Sequence, residues 1–434
     1  MSKTLTAIAT LGTAYKLGNI EKVLIIAPTS VCSVWAKEFE DYADFKAVVK
    51  VLLGTKGKRL KALSDLESFP FKALKVAVIN YESTWREDIF DALYKWDADM
   101  IICDESQRIK THDAEQSKAI HKLGDQSRYK LILSGTPVQN NAIDLYSQYR
   151  FLDPTVFGTN FYQFRNRYAI MGGFSRRQII GYRDLDQLIQ KEHSIAYRVT
   201  KDEALDLPEQ TFLERRITMS AKEKNLYDRI RRESFTELDG GGQVTVTTVL
   251  TKLLRLQQLT GGFLIADGQD KAELVSKGKL NALEEIIDDY VVDAGKKLVI
   301  FARFRPEIDL IGQMLVKKKI KYGAIYGDIK LEDRGGIVKD FQTNADTKVF
   351  LAQIDTAGLG ITLTAADTCV YYSVNFNYAA YSQSLARIHR IGQKNVCTYI
   401  HLITEGTVDE TILKALTKKE DLAKTIVDEW RNYF

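Results

Sequence analysis

Cysteine is scarce in this chain of 434 residues: Cys32, Cys103, Cys369 and Cys397 stand far apart, with no CxxC pair and no Cys/His ligand spacing. That excludes a structural zinc site and a disulfide framework, and leaves the four as small core residues. Long apolar runs are lacking too. No stretch approaches the roughly 18–20 uninterrupted apolar residues of a membrane span, and the opening Met1-Ser2-Lys3-Thr4 has no apolar signal core. An intracellular globular protein with no membrane partner is expected. Nor is there an excess of one charge: 61 basic against 57 acidic residues leave +4, a weak argument for nucleic acid by itself. Basic clusters at 229–232 (RIRR) and 317–321 (KKKIK) read first as solvated helix faces. Tandem repeats and low-complexity tails are also missing.

What is present is material for large cores: 45% of the residues are hydrophobic and 27% charged, over a length that calls for two or more domains. Short β-branched runs alternate with amphipathic helical stretches in two blocks, the pattern of parallel sheets with crossover helices. The first block has strands expected at 22–27, 76–81, 100–103 and 130–133; the second at 297–301, 322–326, 348–352, 368–374 and 397–403. Between about 141 and 276 the texture turns to charged and aromatic helical segments, broken at 239–242 (DGGG) by an expected loop tip. The fold class is therefore α/β, two parallel-sheet lobes with helical insertions between them. The expected layout is a first lobe at 1–205 with a helical protrusion at about 141–195, a linker and second protrusion at 206–275, and a second lobe with C-terminal helices at 276–434.

The strongest chemical signal is the segment 100–107 (MIICDESQ), an apolar strand running into two adjacent carboxylates. Ligands of open α/β sheets bind beyond the carboxyl ends of strands. Asp104 is the candidate to hold nucleotide-bound Mg²⁺, and Glu105 to take the proton of an attacking water. Alone, the pair reads equally well as an acidic loop after a buried strand. The next strand also ends in a small polar turn, Ser134-Gly135-Thr136-Pro137, and the hydroxyls of Ser134 and Thr136 are candidates for coupling nucleotide state to movement. At the start, Lys3 and Thr4 precede a helix-like stretch and then a strand, as the last two positions of a phosphate loop would: lysine for the phosphates, hydroxyl for Mg²⁺. In the second block, 383–393 (QSLARIHRIGQ) puts Arg387 and Arg390 three apart, on one expected helical face with Gln383. Arginines delivered to a transferring γ-phosphoryl group are worth about 10³–10⁵ in rate. Gly358, in the turn 355–361 (DTAGLGI), is expected at the same cleft.

Taken in order, these segments resemble the Swi/Snf-type ATPases of helicase superfamily two, in a compact bacterial or phage form. Residues 24–35 (LIIAPTSVCSVW) look like motif Ia, 78–82 like Ib, 104–107 like the DExx box, and 134–141 (SGTPVQNN) like motif III. Residues 297–304, 352–363 and 383–393 look like motifs IV, V and VI. Segments at 144–168, 197–201, 207–208, 253–258 and 276–280 are similar to the protrusions, linker and lobe-two entry of that family. The resemblance implies two RecA-like lobes that clamp ATP and Mg²⁺ and walk along one strand of double-stranded DNA, usually without separating the strands. It implies nucleotide contacts from Lys3, Thr4, Asp104, Gly358 and Gln383, and DNA contacts, mostly to phosphates, from Lys22, Thr29, Tyr81, Arg303 and Thr356. A cytoplasmic, DNA-associated location in a bacterial or phage-infected cell follows, with room for an unidentified protein partner. Ser2 stands where that family's loop has its second glycine, and the glycine-rich half of the loop does not precede it. The reading is thus of a first lobe truncated within motif I, by a start placed late, a split protein or a lost loop. A catalytically silent DNA-binding or interaction module is the alternative from another class; a strand-separating helicase is the third.

Overall fold

The computed structural model describes residues 3–173, 178–199, 203, 205–239, 246–265, 272–355 and 361–423. Two compact units divide the chain, one of residues 1–200 with 419–434, the other of 201–418.

In the first unit, strands β1 (Lys22–Ala27), β2 (Ala47–Leu52), β3 (Leu74–Asn80), β4 (Met100–Asp104) and β5 (Tyr129–Leu133) form a parallel sheet in the order β2-β3-β1-β4-β5. Its central strands are near-continuous apolar runs because helices cover both faces. Side chains alternate along them. Leu24, Ile26, Ala77, Ile79 and Ile101 pack on one face with Leu63, Leu66, Ile89 and Leu93. Val23, Ile25, Val76, Val78 and Ile102 pack on the other with Ala7, Ile8, Leu11, Trp35 and Phe39. A parallel sheet sends every carboxyl end to one rim, so the segments after Ala27, Leu52, Asn80, Asp104 and Leu133 share one edge of the unit.

Beyond β5 the chain builds an aromatic subdomain from the helices Leu145–Leu152, Pro154–Phe157, Phe161–Tyr168 and Leu185–His193. Asn160 caps the third of these, accepting from the amides of Tyr162 and Gln163 at 3.0 and 3.1 Å. Tyr149, Phe157, Phe164 and Tyr168 interlock with ring centroids 5.0–6.1 Å apart. A hairpin of β6 (Ala169–Gly172) and β7 (Gln178–Tyr182) interrupts the expected all-helical protrusion.

The second unit is a parallel sheet of β8 (Gln210–Ile217), β11 (Leu298–Ala302), β12 (Lys321–Ile325), β13 (Thr347–Gln353), β14 (Thr368–Tyr371) and β15 (Cys397–Thr404), in the order β12-β13-β11-β14-β15-β8. A small antiparallel pair, β9 (Phe263–Ile265) and β10 (Ala272–Leu274), accompanies it. The segment 210–217, expected as linker, is the edge strand of this sheet, paired along its whole length with β15. The α/β class and the strands expected from the two apolar blocks are present; the expected loop tip at 240–242 lies outside the described residues.

A buried polar network ties this unit together. Lys279 Nζ meets Asp409 Oδ2 at 2.7 Å and donates to the Tyr372 carbonyl at 3.1 Å, while Thr260 Oγ1 donates to Asp409 Oδ1 at 2.9 Å. Beside it the fully buried Glu307 carboxylate accepts from the amides of Arg303 and Phe304, each at 3.0 Å, and from Ser373 Oγ at 2.5 Å. Burial outweighs these donors and pushes its pKa from 4.5 up to about 7. A raised folded-state pKa stabilises the fold below the unfolded value and loses that contribution as pH rises through about 7. Relative to Glu307→Gln, the wild-type protein is therefore expected to lose about 2–3 kcal/mol of stability between pH 5 and pH 8. Paired denaturant melts across that range test this, and parallel pH profiles for the two proteins would refute it. Titration of His401, whose pKa burial pushes down to about 4, cancels in the comparison.

Candidate functional site

The carboxyl rim of the first sheet gathers the residues on which the chemistry was expected. Lys3 opens the helix Lys3–Lys16, and its Nζ lies 3.7 Å from Glu105 Oε1 and against Gly135. Thr4 follows it, half-buried. Asp104 ends β4 only 5% exposed, with Oδ2 accepting from the Trp35 indole at 3.0 Å and Oδ1 from the Glu105 amide at 3.0 Å. Burial raises the Asp104 pKa above the usual carboxylate range, and the charge of Glu105 adds to the effect; the Lys3 ammonium and the Trp35 bond oppose it. Glu105 has φ +52°, in the left-handed region a non-glycine residue enters at an energetic cost, and that turn lifts its side chain off the strand.

From Glu105 a chain of hydrogen bonds leads to the next strand's turn. Gln107 Nε2 donates to Glu105 Oε2 at 2.6 Å, Ser134 Oγ donates to Gln107 Oε1 at 2.7 Å, and the Thr136 amide donates to Ser134 Oγ at 3.0 Å. Thr136 Oγ1 is buried without a hydrogen-bond partner among the described residues. Ser106 Oγ donates to Gln148 Oε1 at 2.8 Å, and Gln148 Nε2 reaches the Pro137 carbonyl at 2.8 Å, so the aromatic subdomain braces the same turns. Gln107 and Trp35 are functional partners to which sequence reasoning gave no role. Gln107 was visible as the last residue of the DESQ quartet, whereas nothing local announces a contact between positions 35 and 104.

No group of three or more His, Cys, Asp or Glu side chains among the described residues forms a ready metal cage. One carboxylate whose two oxygens already accept hydrogen bonds fits Mg²⁺, which keeps much of its water shell and takes its remaining ligands from phosphates.

Four of the expected DNA contacts lie among the described residues, and the structure corrects two. Tyr81 is fully buried, and its hydroxyl donates to the Asp104 carbonyl at 2.7 Å, so it offers no surface to a DNA backbone and positions the acidic turn instead. Lys22 begins β1 at the opposite edge of the sheet, where Nζ binds Glu67 Oε1 at 2.9 Å and the Trp96 carbonyl at 3.1 Å. Thr29 is exposed on the carboxyl rim at the start of the helix Thr29–Tyr42, 3.4 Å from Glu82 Oε2. Arg303 follows β11 half-buried, stacked on Phe304 at 4.8 Å and donating to Gln257 Oε1. Thr356 and Gly358 lie outside the described residues.

In the second unit the expected helical face of Gln383, Arg387 and Arg390 is also corrected. The helix Tyr378–Leu385 holds Gln383 and stops two residues before Arg387. Arg387 bonds back to the Ser384 carbonyl through its amide at 3.1 Å, and Arg390 to that of Ile388 at 3.1 Å, so both stand on irregular turns. Their environments differ. Arg387 is 7% exposed with its guanidinium 3.4 Å from the Ile361 carbonyl, and Arg390 is exposed. Gln393 fixes this loop: Nε2 donates to the Ala366 carbonyl at 2.9 Å, and Oε1 accepts from the amides of Lys394 and Asn395 at 2.9 and 3.0 Å.

A lysine beside two carboxylates at the carboxyl rim of a parallel sheet is the arrangement expected where an α/β protein handles phosphates. The family model of the SNF2-related domain matches residues 1–261, and that of the helicase conserved C-terminal domain matches 278–392. The chain belongs to the SNF2-related family of helicase-type, ATP-dependent proteins. An uncharacterized ATP-dependent helicase of Mycoplasma genitalium is 26% identical over 95% of this chain and 38% of its own length. The ISWI chromatin-remodeling complex ATPase ISW1 of Saccharomyces cerevisiae is 28% identical over 99% of this chain and 38% of its own. The chain thus spans well under half the length of these relatives. The Sulfolobus solfataricus SWI2/SNF2 ATPase core in complex with dsDNA is 26% identical, with 98% of this chain and 86% of that one covered, at a TM-score of 0.42. No helix among the described residues is long and apolar enough to cross a membrane.

Proposed function

We propose that the protein is an ATP-driven double-stranded DNA translocase, a motor of the helicase superfamily that hydrolyses ATP with Glu105 as base. The observation that carries this reading is the continuous line Lys3–Glu105–Gln107–Ser134 on the carboxyl rim, which joins a cation to a carboxylate and the carboxylate to a hydroxyl of the next strand's turn. Lys3 binds the phosphates. Asp104 and Thr4 would hold Mg²⁺ through its water shell, and the ion would supply positive charge to the phosphates. Glu105 takes the proton of the water whose oxygen attacks the γ-phosphorus, and the bond from that phosphorus to the bridging oxygen breaks, leaving ADP and inorganic phosphate. Arg387 and Arg390, with Gln383 and Gly358, are the second unit's candidates for the phosphoryl chemistry. Thr29, Arg303 and Thr356 hold the DNA backbone without regard to sequence, so binding weakens with salt. The working location is on DNA in the cytoplasm, and an additional protein partner is compatible with it.

The test is ATP turnover with and without duplex DNA, on this chain and on a version extended upstream in its reading frame. Duplex stimulation in at least one, with displacement of a triplex strand and no unwound duplex product, is the expected result. Duplex binding without turnover in either version would replace the motor with a silent DNA-binding module.

A further inference from the structure

The rim of the first sheet carries a feature that ATP chemistry does not use. After β3 the chain makes a tight turn over Tyr81–Ser83 and continues through Thr84, Trp85 and Arg86 into the helix Glu87–Trp96. The turn is pinned from several sides. The Thr84 amide and hydroxyl both donate to the Tyr81 carbonyl, at 3.2 and 2.8 Å, and the Arg86 amide donates to the Ser83 carbonyl at 3.3 Å. Arg59 reaches across from the first turn of the helix Lys56–Glu67, donating to the Gly54 carbonyl at 2.9 Å, to Asn80 Oδ1 at 2.7 Å and to Ser83 Oγ. On this rigid base the Trp85 side chain stands 48% exposed, with no hydrogen bond or ring contact among the described residues.

Its position sets it apart from the other exposed aromatics of this sheet. Tyr42 ends its helix, Tyr94 lies near the end of its own, and Phe71 precedes β3, so all three fall toward the amino edge. Of these four, Trp85 is the one on the rim that bears Asp104 and Glu105. Its surroundings are cationic. Arg59 has polar but no carboxylate partners, its pKa is lowered by burial and by the charge of Arg86, and Arg86 forms no ion pair among the described residues. The nearby acids are committed elsewhere: Glu82 to Arg108 at 2.8 Å and Asp88 to Lys56 at 2.5 Å, leaving Glu87 against Arg59, Arg86 and Lys58.

An exposed indole on a pinned turn, with Arg86 next to it in the chain and Arg59 bonded to the same turn, suits a nucleic-acid base above a phosphate backbone. An intact duplex has no free base face to give it, because its bases are stacked on each other; an unpaired nucleotide has one. We propose that Trp85, with Arg59 and Arg86, forms a stacking site for an unpaired nucleotide, so that duplex with a single-stranded gap or overhang is held in preference to blunt duplex. This rests on the duplex-DNA reading above and adds the structural class of DNA that the protein selects.

The test compares binding of a blunt duplex and of the same duplex with a short single-stranded overhang, by anisotropy of labelled DNA, for the wild-type chain, Trp85→Ala and Trp85→Phe. The wild type is expected to favour the overhang by about tenfold, the ratio to fall to near one in the alanine variant, and phenylalanine to restore part of it. Because all three proteins carry the same charge, extra phosphates on the overhang alone cannot produce that pattern. Trp35 and Trp96 are buried and Trp430 is common to both proteins, so overhang DNA is also expected to quench a component of tryptophan emission that Trp85→Phe lacks. Equal affinity of the wild type for the two DNAs, or an undiminished ratio in Trp85→Ala, overturns the stacking site and leaves the motor standing. Failure of the wild type to bind either DNA takes down the duplex reading itself.

Discussion

Glu105→Gln lowers duplex-stimulated ATP turnover by about 10²–10⁴-fold and leaves nucleotide binding in place. Glutamine keeps the shape of the side chain and an oxygen that still accepts from Gln107 Nε2, now 2.6 Å from Glu105 Oε2, so the line to Ser134 survives. What disappears is the group that receives the proton of the attacking water. Two neighbours feel the change in a favourable sense for binding. Lys3 is released from its ion pair at 3.7 Å and is freer to meet phosphates, and Asp104 loses one of the charges that raise its pKa. Asp104→Asn is the contrasting variant, since it removes the charge that faces Mg²⁺ and is expected to weaken Mg-ATP binding as well as turnover. Steady-state turnover beside a nucleotide titration, on this chain and on the upstream-extended version, separates the two. Unchanged turnover in Glu105→Gln would remove Glu105 from the role of base.

The parts of this molecule that were legible in its sequence are those where local pattern and tertiary role coincide. Central strands such as β1 and β4 are buried on both faces, so they read as unbroken apolar runs, and the abrupt change from Cys103 to Asp104 marks the rim. The edge strand β8 did not read as a strand because it is solvated on both faces, and QTFLERRI has no alternation to give it away. Tyr81 sat in a stretch that resembled a DNA-contact motif and Lys22 just ahead of another, yet a motif match does not say which way a side chain points. The Tyr81 hydroxyl turns inward to the Asp104 carbonyl, and Lys22 lies at the wrong end of its strand. Spacing also misled at 383–393, where three-residue steps suggested a continuous helix. The Gln393 amide bonds to several loop carbonyls and holds the segment as turns.

That correction changes what the two arginines are expected to do. Had both lain on one helical face, their alanine variants would behave alike. Instead Arg390→Ala is expected to cut turnover by about 10³–10⁵-fold with a smaller drop in melting temperature than Arg387→Ala, because Arg390 is exposed where Arg387 is buried. Arg387→Ala is expected to cost turnover and stability together. Its guanidinium is buried and donates to the Ile361 carbonyl at 3.4 Å, so that side chain holds the backbone at 361 in place. Emptying that position leaves the half-buried Ile361 carbonyl without this donor and opens a cavity, at a cost of about 1–3 kcal/mol. Lysine at 390 keeps the charge but not the planar fork, so Arg390→Lys restores only a small part of the rate. Thermal melts of the two alanine variants beside duplex-stimulated turnover decide the matter. Equal destabilisation by both would mean that the loop is one packed unit in which Arg390 has a structural share, and turnover untouched in Arg390→Ala would leave Arg387 as the only arginine available to the phosphoryl group.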